Sequence, residues 1–370
     1  MTGTGLTSPA RRLINARLTV LPVGAPLGPA GMIDSDGPSD QQGAIVTEHR
    51  VILGDVRLHV VEQGEGPMVL LIHGFPETSY AWRHQLPALA AAGYRAVAMD
   101  VRGYGRSSKP ARGEDYRMVE LIGDTVGLVR ALGASTAAVI GHDWGSLIAA
   151  NAALLEPEMF PAVASLSAPY TPRGGTRPSE IFARAGGESE FYISYFQRPG
   201  RAEAEIEPDV RGWLQGCYAS LSGDTMPSAG AGHVFYIPPG TRMRDRFVNG
   251  ELPGWLSDDD LDVYVGEFER TGFTGALNRY RNVDRDWEDL AAYDGAVITQ
   301  PSLFIGGALD ASGAWIQNVI DSFSTTMPGL VGSHVLPGCG HWVPEERPAQ
   351  VNEILVDWLQ RVYPATTDPS

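Results

Sequence analysis

A glycine-flanked aspartate constrains the fold of this chain more than any other feature. The segment Gly141-His142-Asp143-Trp144-Gly145 follows an apolar run at 137–140 and precedes an alanine-rich stretch at 146–155. A buried strand, a sharp turn and a helix form the context in which a Gly-x-nucleophile-x-Gly pattern carries meaning. The glycines are required because the central residue takes a strained backbone conformation in which nearby side chains would collide. The pattern predicts that Asp143 stands at the end of a buried strand.

Strands and helices alternate on both sides of this motif. Residues 46–53 and 56–63 alternate apolar and polar side chains, which predicts an antiparallel hairpin at a sheet edge. Further strands are predicted at 68–72, 94–99, 137–140, 162–166, 302–305 and 333–336, and helices at 82–92, 115–132, 146–155 and 348–362. This alternation predicts an α/β fold with an eight-stranded, mostly parallel sheet and helices on both faces.

The pattern also divides the chain into three parts. Residues 45–169 and 294–364 carry the strand and helix alternation and predict one core domain. Residues 170–293 contain no obvious buried strand and are rich in aromatic residues at helical spacings, which predicts an inserted helical cap, or lid. Residues 1–44 are rich in Gly, Pro, Ala and Ser and are expected to form a disordered tail.

The composition argues against several classes of partner. A net charge of −16 disfavours nucleic acid and anionic membranes. No apolar run reaches the ~18 residues of a transmembrane helix, so no membrane insertion is expected. Cys217 and Cys339 are too few for a disulfide framework and indicate a reducing compartment, the cytoplasm. Arg11 and Arg12 leave export through a twin-arginine-like segment as a minor alternative.

Neither a metal nor an organic cofactor is expected. The histidines lack a metal-ligand spacing such as His-Glu-x-x-His. The sequence is compatible with a monomer or a homodimer.

Three candidate catalytic side chains follow the carboxyl ends of predicted strands, where ligands bind in open parallel sheets: Asp143, Asp310 and His341. Their order, nucleophile then acid then histidine, is that of the α/β-hydrolases. An ionised aspartate needs no base to attack a saturated carbon, and it forms an ordinary ester there. Its attack on an acyl carbon would instead form a high-energy anhydride. The residues therefore predict displacement at an sp³ carbon.

The second step would hydrolyse the ester on Asp143. His341 would activate a water molecule, and Asp310 would orient the histidine. The backbone N–H groups of Phe75 and Trp144 are the candidate donors of an oxyanion hole. The leaving group is either a halide or an epoxide oxygen, and only the epoxide oxygen needs a proton or a strong O–H donor. Two tyrosines of the lid placed over Asp143 would favour the epoxide, although spacing alone does not select them.

From about residue 46 to 362, the chain resembles the soluble and microbial epoxide hydrolases of the α/β-hydrolase fold. His73-Gly74-Phe75-Pro76 is similar to the oxyanion-loop motif of that family, which implies a cis peptide before Pro76. The segment at 141–145 resembles its nucleophile elbow. Asp310 and Gly340-His341-Trp342 resemble its acid and base segments.

The resemblance implies a reaction and roles for further residues. The protein is expected to convert a small-molecule epoxide and water to a vicinal diol through an alkyl-enzyme ester on Asp143. Tyr192, rather than Tyr195, and Tyr280 are implied as donors to the epoxide oxygen. His73, Pro76 and Trp342 are implied to line the substrate pocket. Arg279 is a departure, since relatives often carry an aromatic residue before the second tyrosine.

Two other functions remain as alternatives. A haloalkane dehalogenase shares the aspartate nucleophile, but its family pattern has Asn at the position of Phe75 and lacks the paired tyrosines. Fluoroacetate-type dehalogenases favour Arg at the position of Trp144. A serine esterase would need another nucleophile, and no Gly-x-Ser-x-Gly segment competes with the elbow. A non-catalytic ligand-binding protein of this fold usually lacks a triad residue, whereas all three candidates are present here.

Overall fold

The computed structural model describes residues 34–41, 44–225, 231–248, 250–310 and 313–365. The strands are β1 (Asp34–Gln41), β2 (Ala44–Leu53), β3 (Val56–Gln63), β4 (Met68–Ile72), β5 (Arg95–Met99), β6 (Ala138–His142), β7 (Ala162–Leu166), β8 (Glu190–Phe191), β9 (Tyr236–Ile237), β10 (Ser302–Gly307) and β11 (Leu330–Leu336). The helices are α1 (Gln85–Ala91), α2 (Met118–Ala131), α3 (Trp144–Leu155), α4 (Pro178–Gly186), α5 (Tyr192–Gln197), α6 (Arg201–Ile206), α7 (Val210–Leu221), α8 (Asp258–Thr271), α9 (Thr274–Tyr280), α10 (Val283–Asp289), α11 (Gly313–Asp321), α12 (Phe323–Thr326), α13 (Val343–Glu346) and α14 (Pro348–Val362).

The large sheet has the strand order β1-β2-β3-β5-β4-β6-β7-β10-β11. The pairs from β1 to β5 are antiparallel, and all pairs from β5 to β11 are parallel. Without β1, this sheet consists of the eight strands predicted from the sequence, so the mostly parallel eight-stranded sheet is confirmed. The hairpin of β2 and β3 is also confirmed, and it turns at Gly54 and Asp55.

The ninth strand, β1, corrects the expectation for the amino-terminal segment. Residues 34–41 lie within the stretch expected to be a disordered tail, yet they pair antiparallel with β2 along the edge of the sheet. An edge strand offers a row of unpaired backbone N–H and C=O groups, and the preceding chain satisfies them. Residues 1–33 and 42–43, including Arg11 and Arg12, lie outside the described residues.

The central strands are buried from both sides, as their continuous apolar sequences predict. In β4, Val69 and Leu71 belong to one apolar cluster, which contains Trp358 of α14. Leu70 and Ile72 belong to the other cluster, with residues of α2 and α3. Successive side chains of a strand point to opposite faces, so two helical layers sandwich the sheet. Full burial of each such side chain contributes about 1.5–3 kcal/mol.

The inserted segment, residues 170–293, separates β7 from β10 in the chain. Its described residues contribute no strand to the large sheet; they form α4 to α10 and the two-stranded sheet of β8 and β9. The ring of Phe75, from the loop after β4, contacts Phe196, Trp213 and Phe273 of this segment. The inserted segment therefore packs on the carboxyl ends of the parallel strands. No helix among the described residues is long and apolar enough to cross a membrane.

Candidate active site

Asp143 occupies the sharp turn between β6 and α3. Its backbone angles are φ 51° and ψ −122°, a conformation that is rare for residues other than glycine. Glycine is needed on both sides of Asp143 because neighbouring backbone atoms leave no room for a side chain there. A Cβ on Gly141 would lie 2.1 Å from the Gly145 carbonyl oxygen, and one on Gly145 would lie 1.9 Å from the carbonyl oxygen of Ile72. The turn holds the Asp143 carboxylate above the end of the sheet.

The two oxygens of the Asp143 carboxylate have different surroundings. Oδ1 accepts the backbone N–H of Phe75 at 2.9 Å. The backbone N–H of Trp144, the next residue, lowers the pKa of this carboxylate. Oδ2 lies 3.7 Å from Nε2 of His341, and the side chain keeps 17% of its surface exposed. The peptide between Phe75 and Pro76 is cis, as the resemblance implied. One oxygen is thus held by the backbone N–H of Phe75, while the other faces the histidine.

His341 and Asp310 come together from the loops after β11 and β10. Nδ1 of His341 lies 3.3 Å from Oδ2 of Asp310 and 2.9 Å from the hydroxyl oxygen of Ser167. The Ser167 hydroxyl donates to the same Asp310 oxygen. When the proton of the neutral His341 ring is on Nδ1, which faces these partners, Nε2 carries no proton and faces Asp143. Sequence reasoning missed Ser167; its one signal is its position directly after β7 at the same sheet edge.

Asp143 and His341 influence one another electrostatically. Burial raises the pKa of Asp143, while the charge of His341, the charge of His142 and the N–H of Phe75 lower it, and the net pKa is above its ordinary value. For His341, burial lowers the pKa, but Asp310 and Asp143 raise it, and the net pKa is above 6.5. Part of the basicity of His341 therefore comes from the negative charge on Asp143.

Tyr192 and Tyr280 lie in the inserted segment and face each other. Their ring centroids are 6.0 Å apart, at an interplanar angle of 76°. Burial raises the pKa of each hydroxyl, and the Asp143 charge raises it further. Both phenols are therefore neutral at neutral pH and able to donate a hydrogen bond, and both lie close enough to Asp143 to be affected by its charge. Tyr195 is different, because its hydroxyl donates to Glu205 on α6.

The three residues expected in the pocket wall are buried. Both ring nitrogens of His73 bond to backbone, Nδ1 to the Gly74 carbonyl oxygen at 2.8 Å and Nε2 to the Val101 N–H at 3.0 Å. Burial lowers the pKa of His73, so the ring is neutral and orders the oxyanion loop. Pro76 accepts the hydroxyl of Tyr218 at its carbonyl oxygen. The indole ring of Trp342 lies 4.8 Å from the His341 ring.

A buried pair beneath the elbow was not predicted from the sequence. Nδ1 of His142 lies 2.8 Å from Glu77, and its Nε2 donates to the His341 carbonyl oxygen at 2.8 Å. Glu77 also accepts the N–H of Gly74. Burial lowers the pKa of His142, but the charge of Glu77, the hydrogen bond to Glu77 and the charge of Asp143 together raise it to about 9. The pair connects the oxyanion loop, the elbow and the loop of His341.

Arg279, the departure from the family pattern, is buried beside Trp144. Its guanidinium carbon lies 4.7 Å from the centroid of the Trp144 ring, a cation–π arrangement. It donates to the carbonyl oxygen of Tyr116 and to the carboxylate of Asp286. The arginine thus contacts the ring of Trp144, whose ring centroid in turn lies 5.0 Å from that of Tyr280. Within the described ranges, no three His, Cys, Asp or Glu side chains are grouped as metal ligands.

Comparison with known proteins extends over most of the chain. The family profile of the alpha/beta hydrolase fold matches residues 67–348. Epoxide hydrolase B of Mycobacterium tuberculosis is 40% identical over 352 residues, which cover 85% of this chain and 99% of that protein. Epoxide hydrolase A of the same organism is 42% identical, with 85% and 97% covered. The solved structure of an epoxide hydrolase from an endophytic Streptomyces has a TM-score of 0.84 and 61% identity, and 86% of this chain and 96% of that one are covered.

Proposed function

The chain belongs to the epoxide hydrolase family of the α/β-hydrolase fold, and we propose that it converts an epoxide and water to a vicinal diol through an ester on Asp143. The observation that carries this proposal is that the two oxygens of the Asp143 carboxylate have different surroundings. Oδ1 accepts the Phe75 N–H, and Oδ2 faces His341 without a direct hydrogen bond, at 3.7 Å. Oδ2 is therefore the oxygen that attacks, while Oδ1 becomes the carbonyl oxygen of the ester.

In the first step, Oδ2 of Asp143 attacks one carbon of the epoxide, and the bond from that carbon to the epoxide oxygen breaks. The electron pair moves to the oxygen as an alkoxide. Tyr192 and Tyr280 donate hydrogen bonds to this oxygen and supply its proton, because an alkoxide is far more basic than a phenolate. Asp143 loses its charge when the ester forms.

In the second step, water attacks the carboxyl carbon of Asp143, and Nε2 of His341 takes its proton. We assign the oxyanion to Oδ1, which already accepts the N–H of Phe75, and the N–H of Trp144 as its second donor. The bond between the carboxyl carbon and Oδ2 then breaks, and the leaving alkoxide takes the proton from His341, which completes the diol. The second proton of the water, left on the carboxyl group of Asp143, returns to the tyrosine that was deprotonated in the first step. Because the Asp143 charge raises the pKa of His341, ester formation lowers that pKa and prepares the histidine to act as a base.

We assign the donors to a cap domain at residues 170–293 and the triad to a core domain at 45–169 and 294–364. The element order supports this division, since the inserted segment lies between β7 and β10. We also place the protein in the cytoplasm, a proposal supported by its two cysteines, which are buried and free. Its partners in the reaction are a small-molecule epoxide and water.

The test is incubation with styrene oxide and, separately, with 1-bromobutane. We expect phenylethanediol from the epoxide and no bromide from the bromoalkane, and Asp143→Ala should produce no diol. Bromide release without diol would identify a dehalogenase. Neither product from several epoxides and haloalkanes would indicate a ligand-binding protein.

A further inference from the structure

One carboxylate holds the loop that carries His341. Glu346, at the end of α13, accepts the N–H of Gly340 at 2.9 Å on Oε2 and the N–H of Trp342 at 3.0 Å on Oε1. These donors are the residues directly before and after His341. The Oε2 atom also accepts the N–H of Gly223 at 2.8 Å. The Glu346 side chain therefore fixes the backbone on both sides of the histidine.

These bonds join the histidine loop to the inserted segment. Gly223 follows α7, and the carbonyl oxygen of Leu221, the last residue of α7, accepts the N–H of His341 at 2.8 Å. The two backbones are in close contact, since a Cβ on Gly340 would lie 2.4 Å from that carbonyl oxygen. The position of His341 thus depends on the end of a helix in the segment that also carries Tyr192 and Tyr280.

The neighbouring Glu345 has a different set of partners. Its carboxylate accepts from Arg83 at 2.9 Å and from the hydroxyl of Tyr264 at 2.6 Å. Glu346, by contrast, has no Lys, Arg or His nitrogen within 4.0 Å in the described part of the chain, and its charge is held by backbone N–H groups. Hydrogen bonds to an ionised acceptor are about twice as strong as neutral ones. Each of its oxygens serves as an acceptor, which an amide could not reproduce.

We propose that Glu346 is a positioning residue for ester hydrolysis, which holds Nε2 of His341 over Asp143 and couples that position to the end of α7. This inference rests on the proposed two-step function. His341 acts only in the second step, whereas attack by Asp143 requires no base. Loosening the loop should therefore slow the breakdown of the ester and leave its formation unchanged.

The test compares the wild type with Glu346→Gln and, as a matched control, Glu345→Gln. Each protein is mixed with styrene oxide, quenched on the millisecond scale and analysed by intact mass spectrometry for the ester. In Glu346→Gln we expect ester formation at the wild-type rate and breakdown slower by roughly 10- to 100-fold, since small misplacements of a reacting group have effects of this size. The ester then accumulates, and kcat and KM fall together. Glu345→Gln should keep both rates within about twofold of the wild-type values.

A second variant separates positioning from folding. Glu346→Asp retains the negative charge and should recover part of the breakdown rate, so the proposal can be tested even if Glu346→Gln does not fold. Breakdown at the wild-type rate in folded Glu346→Gln would overturn the proposal while leaving the two-step function in place. If Glu346→Gln does not fold, breakdown at the wild-type rate in Glu346→Asp would overturn it. Equal slowing of ester formation and breakdown would also overturn it, because general damage to the fold would account for that result. Absence of an ester in every protein, including His341→Gln, would overturn the two-step function and this proposal together.

Discussion

The hydroxyl oxygen of Ser167 lies 2.9 Å from Nδ1 of His341. The nearest Asp310 oxygen lies farther away, at 3.3 Å, and the Ser167 hydroxyl donates to that oxygen. The serine therefore connects His341 to Asp310. Its backbone has a φ of 67°, which a side-chain-bearing residue adopts only at an energetic cost. A strained residue at this point suggests that the hydroxyl is held there for the reaction.

Ser167→Ala removes the connecting hydroxyl and leaves the backbone strain in place. We expect ester breakdown to slow by roughly tenfold, the effect of losing a hydrogen bond to a charged group. Ser167→Gly should show the same kinetic defect but be more stable than Ser167→Ala, by about 1 kcal/mol, because glycine adopts a positive φ freely. Single-turnover kinetics and urea unfolding measure the two effects. An unchanged breakdown rate in both variants would remove Ser167 from the mechanism.

Tyr192→Phe and Tyr280→Phe should each slow ester formation, by roughly 10²- to 10³-fold for loss of one preorganised donor. The double variant should be slower than either. Tyr195→Phe is the matched control, since its hydroxyl donates to Glu205 and it lies one helical turn from Tyr192. Rates of ester formation, measured in pre-steady-state experiments, test this prediction. A larger defect in Tyr195→Phe than in Tyr192→Phe would reverse the assignment of the two tyrosines.

The His142–Glu77 pair should make stability depend on pH. The pKa of His142 is about 9 in the folded protein, against 6.5 when unperturbed. Because the pKa is raised in the folded state, the pair adds at most about 3 kcal/mol to the free energy of unfolding. This contribution is complete below pH 6.5 and is lost as the pH rises through 9. Glu77→Gln should therefore be destabilising at pH 6 and much less so at pH 9.5. Urea unfolding of both proteins at the two pH values measures this, and a constant difference would contradict the assignment.

Arg279→Met should strongly destabilise the fold. It leaves the Asp286 carboxylate buried without its partner, and loss of one member of a buried ion pair costs about 3–5 kcal/mol. Burial already raises the pKa of Asp286 despite the arginine. The double variant Arg279→Met with Asp286→Asn should recover part of the loss. If denaturant unfolding shows equal stability for the single and double variants, the two residues are not energetically coupled.

The sequence was sufficient for the features that depend on local pattern. The continuous apolar run of β4 and the glycine-flanked turn at Asp143 each identify a strand end, and the triad candidates follow such ends. Glu77 and Ser167 could not be identified in the same way, because their roles depend on hydrogen bonds to residues 65 and 174 positions away along the chain. Glu346 bonds to Gly340 and Trp342, 6 and 4 positions before it, but no sequence pattern indicates that its carboxylate accepts these N–H groups. The edge strand β1 was missed because residues 34–41 show no strand-like alternation, and backbone pairing with β2 alone defines the strand.

The central claim is that the oxygen transferred to the substrate comes from Asp143, and a single turnover in ¹⁸O-labelled water tests it most directly. With enzyme in excess over styrene oxide, the diol should carry no ¹⁸O, because its new oxygen is Oδ2 of Asp143. The label should appear instead in the peptide that contains Asp143, as a gain of about 2 Da for one exchanged oxygen in the two-step scheme. A labelled diol from an unlabelled enzyme would show that water attacks the epoxide directly and would contradict the account.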